Sequence, residues 1–287
     1  MDYEQILYDK RDGIATVTLN RPEKLNAFTE QMRAEICDAL DRVDEDDDVR
    51  VVIFTGMGRA YCAGADLSGG GATFDARGRE GAAQEWEKAR DGGGLLTLRL
   101  YECKKPIIAA INGPAVGVGI TQTLAMDIRL ASETARFGFV FARRGLVPEA
   151  CSSWFLPRAV GIQKAAEWVF SGRVFPVEEA LAAGLVRSVH PVDQLLPAAI
   201  AIAEEIRDNT APVAVALSRQ MLWRMLGERH PMAAHRIDSP GIFFLGQSDD
   251  AREGVGSFLD KRAPAFPGKV SKDMPPHFPW WKDEAFR

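Results

Sequence analysis

The chain has 287 residues, 46% of them hydrophobic and 26% charged, with a formal net charge of −5. Such proportions suit an ordinary globular protein of one large domain, or a domain with an appendage. The acidic balance supplies no general field for nucleic acid, and no apolar run reaches the length of a membrane span.

The four cysteines, Cys37, Cys62, Cys103 and Cys151, lack CxxC spacing and read as free thiols of a reducing compartment rather than as a disulfide frame or a zinc site. Met1-Asp2-Tyr3-Glu4 is polar and acidic, unlike a secretory or transit leader, so a cytoplasmic location is expected.

Residues Tyr3 to Leu19 alternate and are broken by Lys10-Arg11-Asp12-Gly13, which predicts a hairpin with Ile14–Leu19 as its second strand. Thr29 then stands as an N-cap before Met32, Ile36, Ala39, Leu40 and Val43 at helical spacing. Asp44 to Asp48 is a charge run expected to form a solvated loop. Val51 to Gly56 predicts a buried strand that enters a turn of small residues, where Gly64-Ala65 lets backbone approach a ligand closely. Ser68 to Gly94 differs in composition. It carries Gly69-Gly70-Gly71, Gly78, Gly81 and Gly92-Gly93-Gly94, with a helix-like patch from Gln84 to Ala89. Such an insertion is either a lid or a disordered connection without a role.

Ile107 to Ile111 is a short apolar run of the kind buried on both faces of a sheet. Asn112-Gly113-Pro114 breaks it, Gly117 and Gly119 follow, and Ile120 to Met126 predicts a helix. A strand, a glycine turn and a helix start leave backbone N–H groups unpaired, able to hold an anion or an oxygen that becomes one. The same spacing also suits a tight turn packed closely, and neither GxGxxG nor GxxxxGK[ST] is present. Ile128 to Ala131 reads as another strand. Beyond Gln163 helices dominate: Ala165–Phe170, Val177–Ala183 with Gly184 as its C′ residue, Leu195–Asn209 and Pro212–Leu226, with Ser188–Pro191 extended. Met221, Leu222, Trp223, Met225 and Leu226 form an apolar face for a core or an interface. Pro264 to Arg287 holds five prolines and Trp280-Trp281, and is expected to dock as an extended arm on its own body or on a neighbour. The division expected is a core over residues 1–210 and a helical region with its arm over 211–287.

Two stretches carry a specific resemblance: Tyr61-Cys62-Ala63-Gly64-Ala65-Asp66-Leu67, and Asn112-Gly113-Pro114-Ala115-Val116-Gly117-Val118-Gly119. With Asn20 to Phe28, Ala125 to Arg129, Ser248 to Gly254 and Phe258 to Arg262, they make nearly the whole chain resemble the crotonase, or enoyl-CoA hydratase/isomerase, superfamily. The resemblance implies an α/β fold, a spiral of ββα turns with a C-terminal helical oligomerisation region, assembled as a homotrimer or a hexamer. It implies an acyl-CoA thioester as substrate, with no separate cofactor and no metal. The backbone N–H groups of Ala65 and Val118 would hold the thioester oxygen as an enolate forms. Relatives commonly have glycine in place of Val118, so φ there must stay negative. The resemblance further places Ala27, Ala63, Gly64, Asp66, Leu67, Gly117, Phe141 and Trp154 around the substrate, with Asp66 holding its turn. Lys24 and Lys261 would meet the CoA phosphates or adenine, and the glycine-rich insertion would border the acyl group.

Hydratases of the family use two glutamates, and at those positions this chain has Thr121 and Phe141. Arg143 to Arg158 instead resembles the segment in which Δ3,Δ2-enoyl-CoA isomerases carry one catalytic glutamate, here Glu149. An acid just after a proline otherwise marks the first turn of a helix. Burial against Trp154 and Phe141 would raise its pKa, and a helix start would lower it. The expected function is therefore a single-base enoyl-CoA isomerase. Hydration through Glu149 and non-catalytic acyl-CoA binding are the alternatives. Weaker rivals are a Ser–His–Asp hydrolase without GxSxG, a metal at His230 and His235, a Cys151 nucleophile, and RNA binding against the acidic balance.

Overall fold

A computed structural model describes residues 3–75 and 86–287. In chain order its strands are β1 (Ile6–Arg11), β2 (Ile14–Leu19), β3 (Val51–Gly56), β4 (Ile107–Ile111), β5 (Ala115–Val116), β6 (Ile128–Ser132), β7 (Arg136–Gly138), β8 (Val174–Pro176) and β9 (Ser188–His190). The helices are α1 (Glu30–Glu45), α2 (Gly92–Glu102), α3 (Val118–Thr121), α4 (Ser152–Val160), α5 (Ile162–Ser171), α6 (Val177–Ala182), α7 (Val192–Asn209), α8 (Pro212–Met225), α9 (Met232–Leu245) and α10 (Asp249–Asp260).

The main sheet runs β1-β2-β3-β4-β6-β9, and a small second sheet runs β5-β7-β8. In the main sheet only the β1–β2 hairpin is antiparallel; the other pairs are parallel. Parallel strands covered on both faces need apolar side chains on both, which is why β3 and β4 read as nearly unbroken apolar runs. Val51, Ile53, Ile108, Ala110 and Leu130 meet Leu195, Ala199 and Ala203 of α7 on one face. Val52, Phe54, Ile107, Ala109 and Ile111 join Met32, Ile36 and Leu40 of α1 in the larger core. Thr29 caps α1 as its sequence predicts, its hydroxyl accepting from the Met32 N–H at 3.1 Å.

Three expectations are corrected. Gly92-Gly93-Gly94 is not loop but the opening of α2, capped by Asp91, whose side chain accepts from the Gly94 N–H. Each glycine costs about 1 kcal/mol in a helix, so a cap and a reason to exclude side chains are both needed. Gly93 and Gly94 are buried, which supplies the second. Trp86 to Lys88 forms a turn, while Gly78, Gly81 and Gln84 lie outside the described residues. The acidic run is no free loop. Asp44 ends α1 buried, paired with Arg99 at 2.9 Å and accepting from the Lys104 N–H, and Asp46 pairs with Lys10 at 2.7 Å. The expected helix over Ile120–Met126 is α3 followed by a 3-10 turn over Gln122–Ala125.

On α8, Trp223 packs against the larger core. Leu222 and Leu226 are exposed, and the buried face carries Val213, Ala216, Leu217, Arg219 and Gln220. Arg219 and Gln220 donate to backbone carbonyls of Leu100, Tyr101, Glu102 and Cys103. They satisfy the orphan carbonyls that end α2, and cations are favoured at that end of a helix. Asp127 completes the joint, accepting from Arg219 at 2.8 Å, from the Trp223 indole at 2.6 Å and from the Ile107 N–H at 2.7 Å. α8 is thus fastened to the end of α2 and to Asp127.

The arm after Pro264 has no helix or strand and docks on its own chain. The Arg224 guanidinium lies 3.2 Å from the centre of the Trp281 ring, and Arg90 and Trp86 meet Phe286 and Arg287. Among the described residues no helix is long and apolar enough to cross a membrane.

Candidate active site

Two turns are sewn together at the ends of β3 and β4. The Val116 N–H donates to the Cys62 carbonyl at 3.0 Å, and the Tyr61 and Cys62 N–H groups donate to Pro114 at 3.1 Å. Gly119 must be glycine here, since a Cβ would stand 2.1 Å from the Cys62 carbonyl oxygen. Gly64 and Gly117 take φ of 111° and 55°, which L side chains rarely adopt. Gly117 occupies the position before α3, so Val118 is the first helical residue and has no positive φ. The condition on this departure is met.

The Ala65 and Val118 N–H groups have no acceptor among the described residues. Their neighbours do: Phe28 donates to the Gly64 carbonyl at 2.8 Å, and Asp66 to the Phe28 carbonyl at 2.9 Å. Free N–H groups on two adjoining turns are donors able to grip one oxygen. α3 is a single turn, so its dipole adds little and the donors themselves must supply the field.

Asp66 pairs with Arg21 at 2.9 Å and accepts from the Ser68 N–H at 2.9 Å. Those bonds hold its carboxyl at about 2, below the usual range, so it is ionised and engaged in the turn. Arg21 also donates to the Ala27 carbonyl at 2.5 Å, which draws Ala27 to the same turn. Ala63 and Leu67 are exposed at its rim.

Glu149 lies beside this pair of turns. The Thr121 hydroxyl donates to Glu149 Oε1 at 2.6 Å. Thr121 is three residues beyond Val118, about 4.5 Å further along the helix axis. The other carboxylate oxygen lies over Gly93, where a Cβ would stand 1.8 Å from Oε2. Glu149 does not belong to a helical first turn: α4 starts at Ser152, after Ala150 and Cys151 at φ of 54° and 53°. Burial pushes its carboxyl up to about 7, the Thr121 bond opposing and the Asp91 charge adding to the rise.

No described bond joins Trp154 or Phe141 to Glu149. Trp154 packs edge-on to Phe155 and Tyr101, with Arg158 over its face at 4.0 Å, and Phe141 is buried in the main core. Lys24 ends a 3-10 turn and Lys261 caps α10; both are exposed and neither ammonium has a partner among the described residues. No described contact joins either lysine to Glu149. Cys151 is a neutral thiol: burial raises its pKa, and Asp91 and Glu149 raise it further. Asp91 and Gly93 were not marked as site residues in the sequence. A lone aspartate before a glycine triplet gives no signal beyond a helix cap.

The chain matches the enoyl-CoA hydratase/isomerase family model over residues 9–269. It is 42% identical over 256 residues to enoyl-CoA hydratase ACTT3 of Alternaria alternata, covering 89% of this chain and 83% of that one. It is 34% identical over 266 residues to 1,2-epoxyphenylacetyl-CoA isomerase of Escherichia coli strain K12, covering 93% and 99%. The crystal structure of enoyl-CoA hydratase from Bacillus anthracis superposes with a TM-score of 0.84 at 30% identity, covering 93% and 100%. The fold, the paired turns and these likenesses define one class of protein, and this chain belongs to the enoyl-CoA hydratase/isomerase, or crotonase, superfamily.

Proposed function

We propose that the protein is a single-base enoyl-CoA isomerase that shifts a double bond from C3 to C2 of an acyl-CoA thioester. Glu149 takes the C2 proton of a 3-enoyl-CoA. The electron pair moves onto the thioester oxygen, which the Ala65 and Val118 N–H groups hold. As the enolate collapses, C2=C3 forms, C4 takes the proton from Glu149, and the carboxylate is restored. One backbone or side-chain donor in an oxyanion hole contributes about 3–4 kcal/mol, which a carboxylate needs to deprotonate so weak an acid.

One observation carries this reading: a partly buried carboxyl, raised toward neutrality, hydrogen-bonded to Thr121 one helical turn past Val118. Activating water as well would call for a second acid or base. Thr121 donates to Glu149 instead, and Phe141 is apolar and buried. Hydration through Glu149 alone is the second reading, favoured by the name of the 42% identical relative. Lys24 and Lys261, exposed and without an ion-pair partner among the described residues, suit the CoA phosphates. Ile242, Phe243, Phe258 and Leu259, more than half exposed on α9 and α10, suit burial in a homotrimer or hexamer. Purified enzyme given a 3-enoyl-CoA and a 2-enoyl-CoA separately should convert the first to the conjugated thioester and leave the second unhydrated. Faster hydration of the second would overturn the assignment.

A further inference from the structure

We infer that Asp91 is the positioning residue that docks Glu149 onto the first turn of α2 and sets a negative charge beside its carboxyl group; the inference builds on the role just proposed for Glu149. Asp91 Oδ2 accepts two backbone N–H bonds, from Gly94 at 2.5 Å and from Ala150 at 3.0 Å. The first caps α2. The second reaches 59 residues along the chain, to the residue directly after Glu149. One oxygen thereby ties the helix start to the loop bearing the acid.

Two costly features gather around that tie. Ala150 and Cys151 adopt consecutive left-handed conformations, which non-glycine residues avoid. The Ala150 N–H bond to Asp91 fixes the first of them, and Ser152 bonds to the Glu149 carbonyl through both its N–H and its hydroxyl, at 2.9 and 2.6 Å. Gly93, in the first turn of α2, leaves room for Glu149 Oε2 where any side chain would collide. Gly93 therefore gives up helix propensity so that the carboxyl can lie on the backbone.

Asp91 also brings charge. Around Glu149 the titratable groups are Asp91 on the cap, Cys62 on the β3 turn and Cys151 before α4, with Arg90 acting on Cys151. Both thiols are neutral, pushed up by burial. Among the described residues Asp91 is then the negative charge facing the acid, and a like charge favours the protonated form.

Because both N–H groups bond to the same oxygen, Asp91→Asn can keep both bonds on its amide oxygen while removing the charge. Asp91→Ala removes the bonds as well. With 13C-glutamate labelling, and Glu149→Gln to assign the signal, the Glu149 carboxyl can be titrated without substrate. In Asp91→Asn its pKa should fall by about half a pH unit or more, and the acid limb of kcat/KM for 3-enoyl-CoA isomerisation should fall equally, with KM little changed. Asp91→Ala should lower kcat at least about tenfold while the fold, followed by circular dichroism, persists. An unmoved Glu149 titration in Asp91→Asn would overturn the inference. A moved titration with an unmoved kinetic limb would leave the inference standing and remove Glu149 from the reaction.

Discussion

The Thr121 hydroxyl lies 2.6 Å from Glu149 Oε1 and donates to it, joining the turn that begins at Val118 to the acid. At this position the family's hydratases hold an acid of their own; here the side chain serves another. The bond favours the ionised carboxylate, against the burial that disfavours it. Thr121→Val should therefore raise the pKa of Glu149 and move the acid limb of kcat/KM to higher pH, lowering the rate near pH 7 about threefold to tenfold. A pH–rate profile checks this. A limb that moves to lower pH would contradict it.

Gly93→Ala separates the needs of α2 from those of the site. Alanine favours a helix over glycine by about 1 kcal/mol, but its Cβ would meet Glu149 Oε2 and the Ala150 side chain. The carboxyl must shift by an ångström or more, and such misplacement costs about 100-fold in rate. The expected outcome is a large loss of kcat with a melting temperature changed by only a few degrees.

The pH dependence of activity follows from the role of the acid. Glu149 must be ionised to take the C2 proton, and burial places its pKa at about 7. Isomerisation by the wild-type protein should therefore rise as pH passes through neutrality. A rate already on its plateau near pH 5 would show that a different group takes the proton.

Stability should move the opposite way. A carboxyl with pKa near 4.5 unfolded and about 7 folded binds more protons in the folded state between those values. The fold is thus fully favoured by this group below the lower value and loses that advantage as pH rises through the higher one. Glu149→Gln carries no such charge, and should be more stable than wild type at about pH 8 by something on the order of 2 kcal/mol. The difference should vanish near pH 4. Thermal melts at the two pH values measure it.

Much of this was legible in the residues. The β1–β2 hairpin, the Thr29 cap, the buried runs of β3 and β4 and the glycine turns all rest on local rules: alternation, capping, and backbone freedom at Gly64 and Gly117. Glu149 was marked by its segment. What surrounds it was not, because its partners are remote in sequence: Thr121 by 28 residues, and Asp91 through Ala150 by 59. Gly93 looked like loop because propensity alone disfavours it in a helix, and only the crossing carboxyl explains it. Likewise no local pattern marks Arg219 and Gln220, since the α2 carbonyls they serve lie more than a hundred residues earlier.

The central claim is that Glu149 moves a proton at the carbon next to the thioester. Exchange of that carbon's hydrogens with solvent deuterium, followed by NMR on an unreactive saturated acyl-CoA, reads this step without any double-bond shift. The wild-type protein should wash deuterium into C2, and Glu149→Gln should slow that exchange by about a hundredfold or more. Exchange at the wild-type rate in Glu149→Gln would contradict the account.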